Sequence, residues 1–135
     1  MLLNTYTMDT AAAPSSVDFA KDEFNRILAA YSDSLCVVFD TETAKPVVRF
    51  EFGQENVPSN KHAYKVVCHP TMPLTITAHE DRHIRFWDNN TGKMVHSMVA
   101  HLEAVTSLAV DPNGLYLLSG EIWMVPDIAR LLLPF

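Results

Sequence analysis

Residues 79 to 83 read His79-Glu80-Asp81-Arg82-His83, the H-E-x-x-H spacing that zinc peptidases use to hold a metal and activate a water. That chemistry needs a helix, because only there do two imidazoles four residues apart share a face with the Glu between them acting as base. The surroundings argue otherwise. Leu74–Ala78 and His83–Trp87 read as strands, with Ile84 and Phe86 on one face of the second and Arg85 and Trp87 on the other, so the five residues fall on a hairpin. No third ligand declares itself, and His62, His69 and His96 read as loop or surface residues. Nor is there a G-x-S-x-G elbow, a phosphate-cradling glycine loop or a Cys-His ligand set, and four glycines leave little material for one. Asp22, Glu23, Glu42 and Glu55 read as solvated loop carboxylates. No catalytic residue, metal or cofactor is assigned.

The elements around that hairpin repeat. At an offset of 48 residues Ala30 falls on Ala78, Asp33 on Asp81, Phe39 on Trp87, Asp40 on Asp88, Thr43 on Thr91, Lys45 on Lys93 and Val47 on Val95. At an offset of 42, Val66 falls on Leu108, Cys68 on Val110, Pro70 on Pro112, Ile76 on Leu118 and Thr77 on Ser119. Each unit reads as short strands parted by turn residues such as Asp88-Asn89-Asn90-Thr91-Gly92 and Asp111-Pro112-Asn113-Gly114. Four short strands per unit of this length describe a propeller blade. The expectation is an all-β, unclosed WD40-type partial β-propeller: residues 1–14 a strand remnant or linker, 15–60 a degenerate blade with a loop inserted at Phe52 to Asn60, 61–100 a second blade, 101–120 part of a third, and 121–135 a divergent apolar tail. A short helix begun at Pro126 is expected in that tail.

Within the register, Trp87-Asp88 closing an alternating strand is the dipeptide for which WD repeats are named. In that family a hydrogen-bonded set joins a His ahead of the first strand, a Ser or Thr in the second, a turn Asp and the Trp. Thr77, Asp81 and Trp87 fit, but the His position falls near Ser59. The first unit keeps Asp33 and Asp40 but has Ala29 and Phe39, so apolar packing should hold it; the last has His101 and Ser119 without an Asp or a Trp.

A net charge of −6 with scattered Lys and Arg leaves no basic stripe for nucleic acid. No run approaches the ~20 apolar residues needed to cross a bilayer, and the first residues lack a secretory pattern. Cys36 and Cys68 lie in apolar runs as small buried hydrophobes, which suits a reducing, cytoplasmic setting.

The run from Cys68 to Gly120 resembles the C-terminal WD-repeat domain of the striatins. The resemblance rests on His69-Pro70-Thr71-Met72-Pro73-Leu74, Thr77-Ala78-His79-Glu80-Asp81-Arg82-His83-Ile84, Asp88-Asn89-Asn90-Thr91-Gly92-Lys93 and the stretch from His96 to Tyr116. It extends more weakly upstream through Ser16-Val17-Asp18 and Phe39-Asp40. It implies a scaffold that gathers protein phosphatase 2A with germinal-centre kinases, the propeller being one docking surface, without the coiled coil and the caveolin- and calmodulin-binding segments. After Gly120 the sequence departs from the pattern, and Trp123, four residues past Ser119, is too close to replace the missing Trp. A truncated isoform competing for partners and a non-functional product are the other readings. Two sheets and a fraction would leave outer apolar faces and strand edges bare, giving marginal stability and a tendency to self-associate through unpaired blade edges.

Overall fold

The computed structural model describes residues 4–21, 25–52 and 62–121 and the backbone of 129–132. The first antiparallel sheet is β1 (Pro14–Phe19), β2 (Arg26–Tyr31), β3 (Cys36–Asp40) and β4 (Pro46–Phe50). The second is β5 (Ala63–Cys68), β6 (Leu74–His79), β7 (His83–Asp88) and β8 (Met94–Val99). The third contains β9 (Val105–Val110), β10 (Leu117–Glu121) and β11 (Ala129–Leu132). Every sheet is a meander, and β1, β5 and β9 touch in series along one side, so the sheets fan out from their first strands in an unclosed partial propeller. Among the described residues no helix is long and apolar enough to cross a membrane.

Turn chemistry explains the meander. Asp88 Oδ1 accepts the amides of Asn90 at 2.7 Å and Thr91 at 3.2 Å, and Gly92 closes the β7–β8 turn at φ +75°. The β3–β4 turn repeats it: Asp40 Oδ1 accepts from Glu42 at 2.8 Å and Thr43 at 3.1 Å, and Ala44 takes the left-handed position at φ +58°. In the β2–β3 and β6–β7 turns the left-handed residues are Ser34 and Arg82, also 48 positions apart.

Alternation then gives each sheet two apolar faces. Leu28, Ala30, Cys36, Val38 and Phe50 of the first sheet meet Ala63, Val66, Cys68 and Trp87 of the second. The second sheet's other face, with Ile76, Ala78, Ile84 and Phe86, meets Val105, Leu108 and Leu117 of the third. Polar stitches fix the spacing. Ser16 Oγ accepts from the Val66 amide at 3.2 Å, Asp18 Oδ2 from the Cys68 amide at 2.9 Å, and Ser15 Oγ donates to the Ala63 carbonyl. At the outer side the Glu51 amide donates to the Gly92 carbonyl at 3.2 Å. Between the second and third sheets, His69 is buried in the β5–β6 loop; its Nδ1 accepts from Thr71 and Met72 amides, which leaves Nε2–H to donate to the Gly114 carbonyl at 2.9 Å. Cys36 and Cys68 are buried thiols, and burial, aided by the Asp33 charge, pushes Cys36 up to about 12.

Three expectations change. His69 is interior, because the loop that carries it folds under the β9–β10 turn. The tail backbone at Ala129–Leu132 is a strand pairing with β10, Leu118 opposite Leu131, where a helix was expected; β10's open edge recruits it. The outer face of the first sheet is bare only in part: Tyr6, Met8 and Ala12 pack on Ala29, Tyr31, Val37 and Phe39, while Val17 and Phe19 stay exposed. Residues 4–13 form no strand, and Pro14 already belongs to β1. Apart from Phe52, the inserted loop lies outside the described residues, as do Trp123 and Pro126.

Gly92 combines positive φ with a position where an added Cβ would run into the Arg49 carbonyl oxygen. Gly92→Ala should cost about 2 kcal/mol or more, the left-handed penalty plus the clash. Denaturant unfolding followed by circular dichroism checks this; a loss of a few tenths of a kcal/mol would mean that the joint between β4 and β8 does not carry the fold.

Candidate functional site

Buried polar side chains collect between sheets at equivalent positions of the second and third units. In the second sheet Thr77, His79, Arg85 and Trp87 share one buried face. Trp87 Nε1 donates to Thr77 Oγ1 at 2.7 Å, and that hydroxyl also meets His79 Nε2 at 2.6 Å. The rings of Phe50 and Phe52 close over this set: Phe50 stacks on Trp87 at 5.4 Å, and Phe52 stands edge-on to Trp87 at 5.1 Å and to His79 at 5.9 Å.

His79 therefore supplies the imidazole that sequence comparison sought near Ser59. It comes from the same strand as Thr77, two residues on, where the period of a strand returns to the same face. That period is readable in the sequence from Thr77 to His79. The five residues of that motif span the end of β6, a tight turn and the start of β7. His79 is buried, whereas His83 is partly exposed with Nδ1 turned to the Asp81 carbonyl at 2.8 Å. Among the described residues no group of three His, Cys, Asp or Glu is arranged to hold a metal.

Asp81 makes a forked pair with Arg85, Oδ1 to Nη1 at 2.9 Å and Oδ2 to Nη2 at 2.6 Å, and also accepts weakly from the His83 amide at 3.4 Å. The Arg85 guanidinium lies 5.1 Å from the centre of the Phe52 ring. Burial alone would raise the Asp81 carboxyl; the Arg85 bonds and charge outweigh it and hold the group below its ordinary value. Asp88 works in the turn described above, as does Asp40 in the first sheet.

In the third sheet His101 Nε2 and Ser119 Oγ are 2.7 Å apart, and Glu121 Oε2 lies 3.5 Å from His101 Nδ1. Serine, imidazole and carboxylate in this order resemble an acyl-transfer triad. Here Ser119 is 1% exposed, and Glu121 Oε2 accepts the amides of Leu102 at 2.9 Å and Glu103 at 3.0 Å, tying the loop before β9 to β10. Glu121 stands 42 positions after His79 and at its equivalent place; sequence reading had put it in the divergent tail. In the first sheet Ala29, Tyr31 and Phe39 occupy the corresponding places, and Asp33 accepts from Thr10 Oγ1 at 2.6 Å. Outside these interiors, a groove of about 590 Å³ runs between β1, β5 and β9, with Lys21, Lys65 and Asp111 at its rim.

The stacked antiparallel meanders, two of four strands and one of three among the described residues, match known proteins as follows. The model of the WD domain, G-beta repeat, matches residues 92–121, from the turn before β8 through β10. Striatin-3 of Homo sapiens is 54% identical over 109 residues, covering 80% of this chain and 14% of that protein. Over most of its length the chain is similar to one part of the striatins. Striatin of Mus musculus is 53% identical over 109 residues, and striatin-4 of Mus musculus is 48% identical over 120, or 88% of this chain and 16% of that protein. The chain thus spans about a seventh of the length of the relatives it matches.

Two measurements test the pinning. Thr77→Val removes the acceptor of the buried indole N–H and should cost about 1–3 kcal/mol, while adding Trp87→Phe, which deletes the orphaned donor, should cost little beyond its lost packing; strictly additive losses in a double-mutant cycle would refute the bond. For Asp81, a depressed folded pKa means stability present above the unfolded value of about 4 and lost as pH falls through the folded one. The stability gap between wild type and Asp81→Asn should be full at neutral pH and shrink below about pH 4; a gap constant with pH would contradict the pairing.

Proposed function

We propose that the chain is a protein-docking segment of a striatin-type scaffold, working by shape and without catalysis. The observation that supports this most directly is the burial of two polar sets: Thr77 with His79 and Trp87, and Ser119 with His101 and Glu121, lie between sheets where they bond to one another and to backbone. Such groups are spent on holding strands. The outward surfaces are short strand edges, turns and the groove between the first strands, which suits recognition of other proteins. On this reading His79, Glu80 and His83 form no hydrolase centre, and Asp33, Phe39, Asp40, Thr77, Asp81, Trp87, Asp88, His101 and Ser119 are structural WD positions.

By resemblance to the striatins the partners are components of a phosphatase and kinase assembly, protein phosphatase 2A and germinal-centre kinases, met in the cytoplasm. The same surfaces let the chain compete with a longer striatin for them. Expression of the tagged full chain beside a full-length striatin should recover a germinal-centre kinase or phosphatase 2A subunit on the tag and reduce the amount recovered with the longer protein. Recovery of neither, with the chain shown to be folded, would refute the docking role. Stoichiometric zinc that copurifies and is lost in His79→Ala would instead establish the metal chemistry.

A further inference from the structure

The β9–β10 turn holds the one Asn-Gly step of the sequence, Asn113-Gly114. With no Cβ on the following residue, a glycine nitrogen reaches the asparagine Cγ with little steric hindrance. In the reaction this permits, the Gly114 nitrogen bonds to Asn113 Cγ, the Cγ–Nδ2 bond breaks, and ammonia leaves with the proton of the Gly114 N–H. Water then opens the cyclic imide. Opening at Cγ gives aspartate on an unaltered backbone; opening at the main-chain carbonyl gives isoaspartate, whose main chain carries an extra methylene. Nothing but water is consumed. Asn113 is exposed. That exposure recurs in the repeat: Thr71, 42 positions earlier in the β5–β6 loop, is exposed as well, although a further sheet stacks on the unit that carries it.

The folded turn opposes this chemistry. The Gly114 N–H donates to the Asp111 carbonyl at 2.9 Å, and the Asp111 carboxylate accepts the amides of Leu115 and Tyr116 at 2.7 Å each and of Asn113 at 3.3 Å. From the other side His69 Nε2–H holds the Gly114 carbonyl at 2.9 Å. The imide needs the Gly114 nitrogen turned toward the Asn113 side chain and stripped of its proton, so the Asp111 carbonyl must first be let go. Gly114 also has no slack: it sits at φ +71°, and a Cβ added there would run into the His69 ring.

We infer that Asn113 is a site of spontaneous deamidation gated by opening of the β9–β10 turn, and that isoaspartate formed there unseats the Gly114 carbonyl from His69. A main chain lengthened at 113 cannot keep both the Asp111 turn and the bond to the imidazole, because Gly114 already fits against that ring without room to spare. Apolar packing between the second and third sheets remains, so the result is a local loosening where the two loops meet. Aspartate at the same place changes charge but not backbone length, and it keeps the joint. The two products of one reaction therefore act differently on the fold.

The test ages the full chain at mildly alkaline pH and follows Asn113 in digests by mass spectrometry, with enzymatic methyl transfer to the isoaspartyl carboxylate resolving the two products. Conversion at Asn113 should run roughly tenfold or more faster than at Asn90, an exposed turn asparagine followed by Thr91, and roughly tenfold or more slower than in a synthetic peptide of residues 110–116. His69→Ala should bring the folded chain toward the peptide's rate; should that variant fail to fold, wild type in low urea should show the same approach. In the isoaspartyl fraction the Thr71 and Met72 amides, which donate to His69 Nδ1, should exchange hydrogen roughly tenfold faster than in the unaged chain, whereas Asn113→Asp should leave them unchanged. Conversion no faster than at Asn90 would remove the site, and a rate equal to the peptide's would remove the gate. Unchanged exchange in the isoaspartyl fraction would overturn the release of His69.

Discussion

A four-stranded sheet with two apolar faces cannot stand alone in water, and nearly every feature of this chain answers that constraint. The face led by Leu28 and Val38 is hidden by the second sheet, and the face led by Ile76 and Phe86 by the third. Where no sheet precedes the first one within the described residues, Tyr6, Met8 and Ala12 cover part of the same kind of surface. Side-chain identity follows from this. Branched and small residues fill the sites where sheets approach, and polar residues enter only where a partner is built beside them.

The three units solve the polar part differently at equivalent places. Tyr31, His79 and Glu121 occupy one position; the second unit joins its His to Thr77 and an indole, and the third joins its Glu to a His and two loop amides. The first unit dispenses with polar bonds there, and Phe39 and Tyr31 pack against rings and methyls. Interchange of this kind is tolerated because the backbone ladder fixes the strands and the side chains need only satisfy one another. In the third unit the Ser, the His and the carboxylate that meet at short range are all buried.

Much of the architecture was readable from turn residues and period. Asp88 to Gly92, Asp40 to Ala44 and Asp111 to Gly114 marked hairpins because a carboxylate that accepts amides two or three residues on leaves the chain little choice but to reverse. The offsets of 48 and 42 then carried strand boundaries from one unit to the next within a residue or two. Contacts that cross between units were far less legible. Nothing in the spacing shows that His69 reaches Gly114 or that Tyr6 rests on Phe39, since each depends on how sheets lie in space. The apolar tail misled for a related reason: Pro126 and a run of leucines suit a helix, but β10 offered an unpaired edge, and an available ladder outweighs local preference.

The joint between His69 and Gly114 has a mechanical corollary. The first two sheets are sewn at both margins, through Ser16 and Asp18 on one side and Glu51 on the other, whereas His69 gathers the second and third near their first strands. Under tension the third sheet would swing away like a page on its spine, its outer margin lifting while the imidazole kept hold. A torsional compliance of that sort would be confined to one leaf of the stack, with the other two turning as a single board.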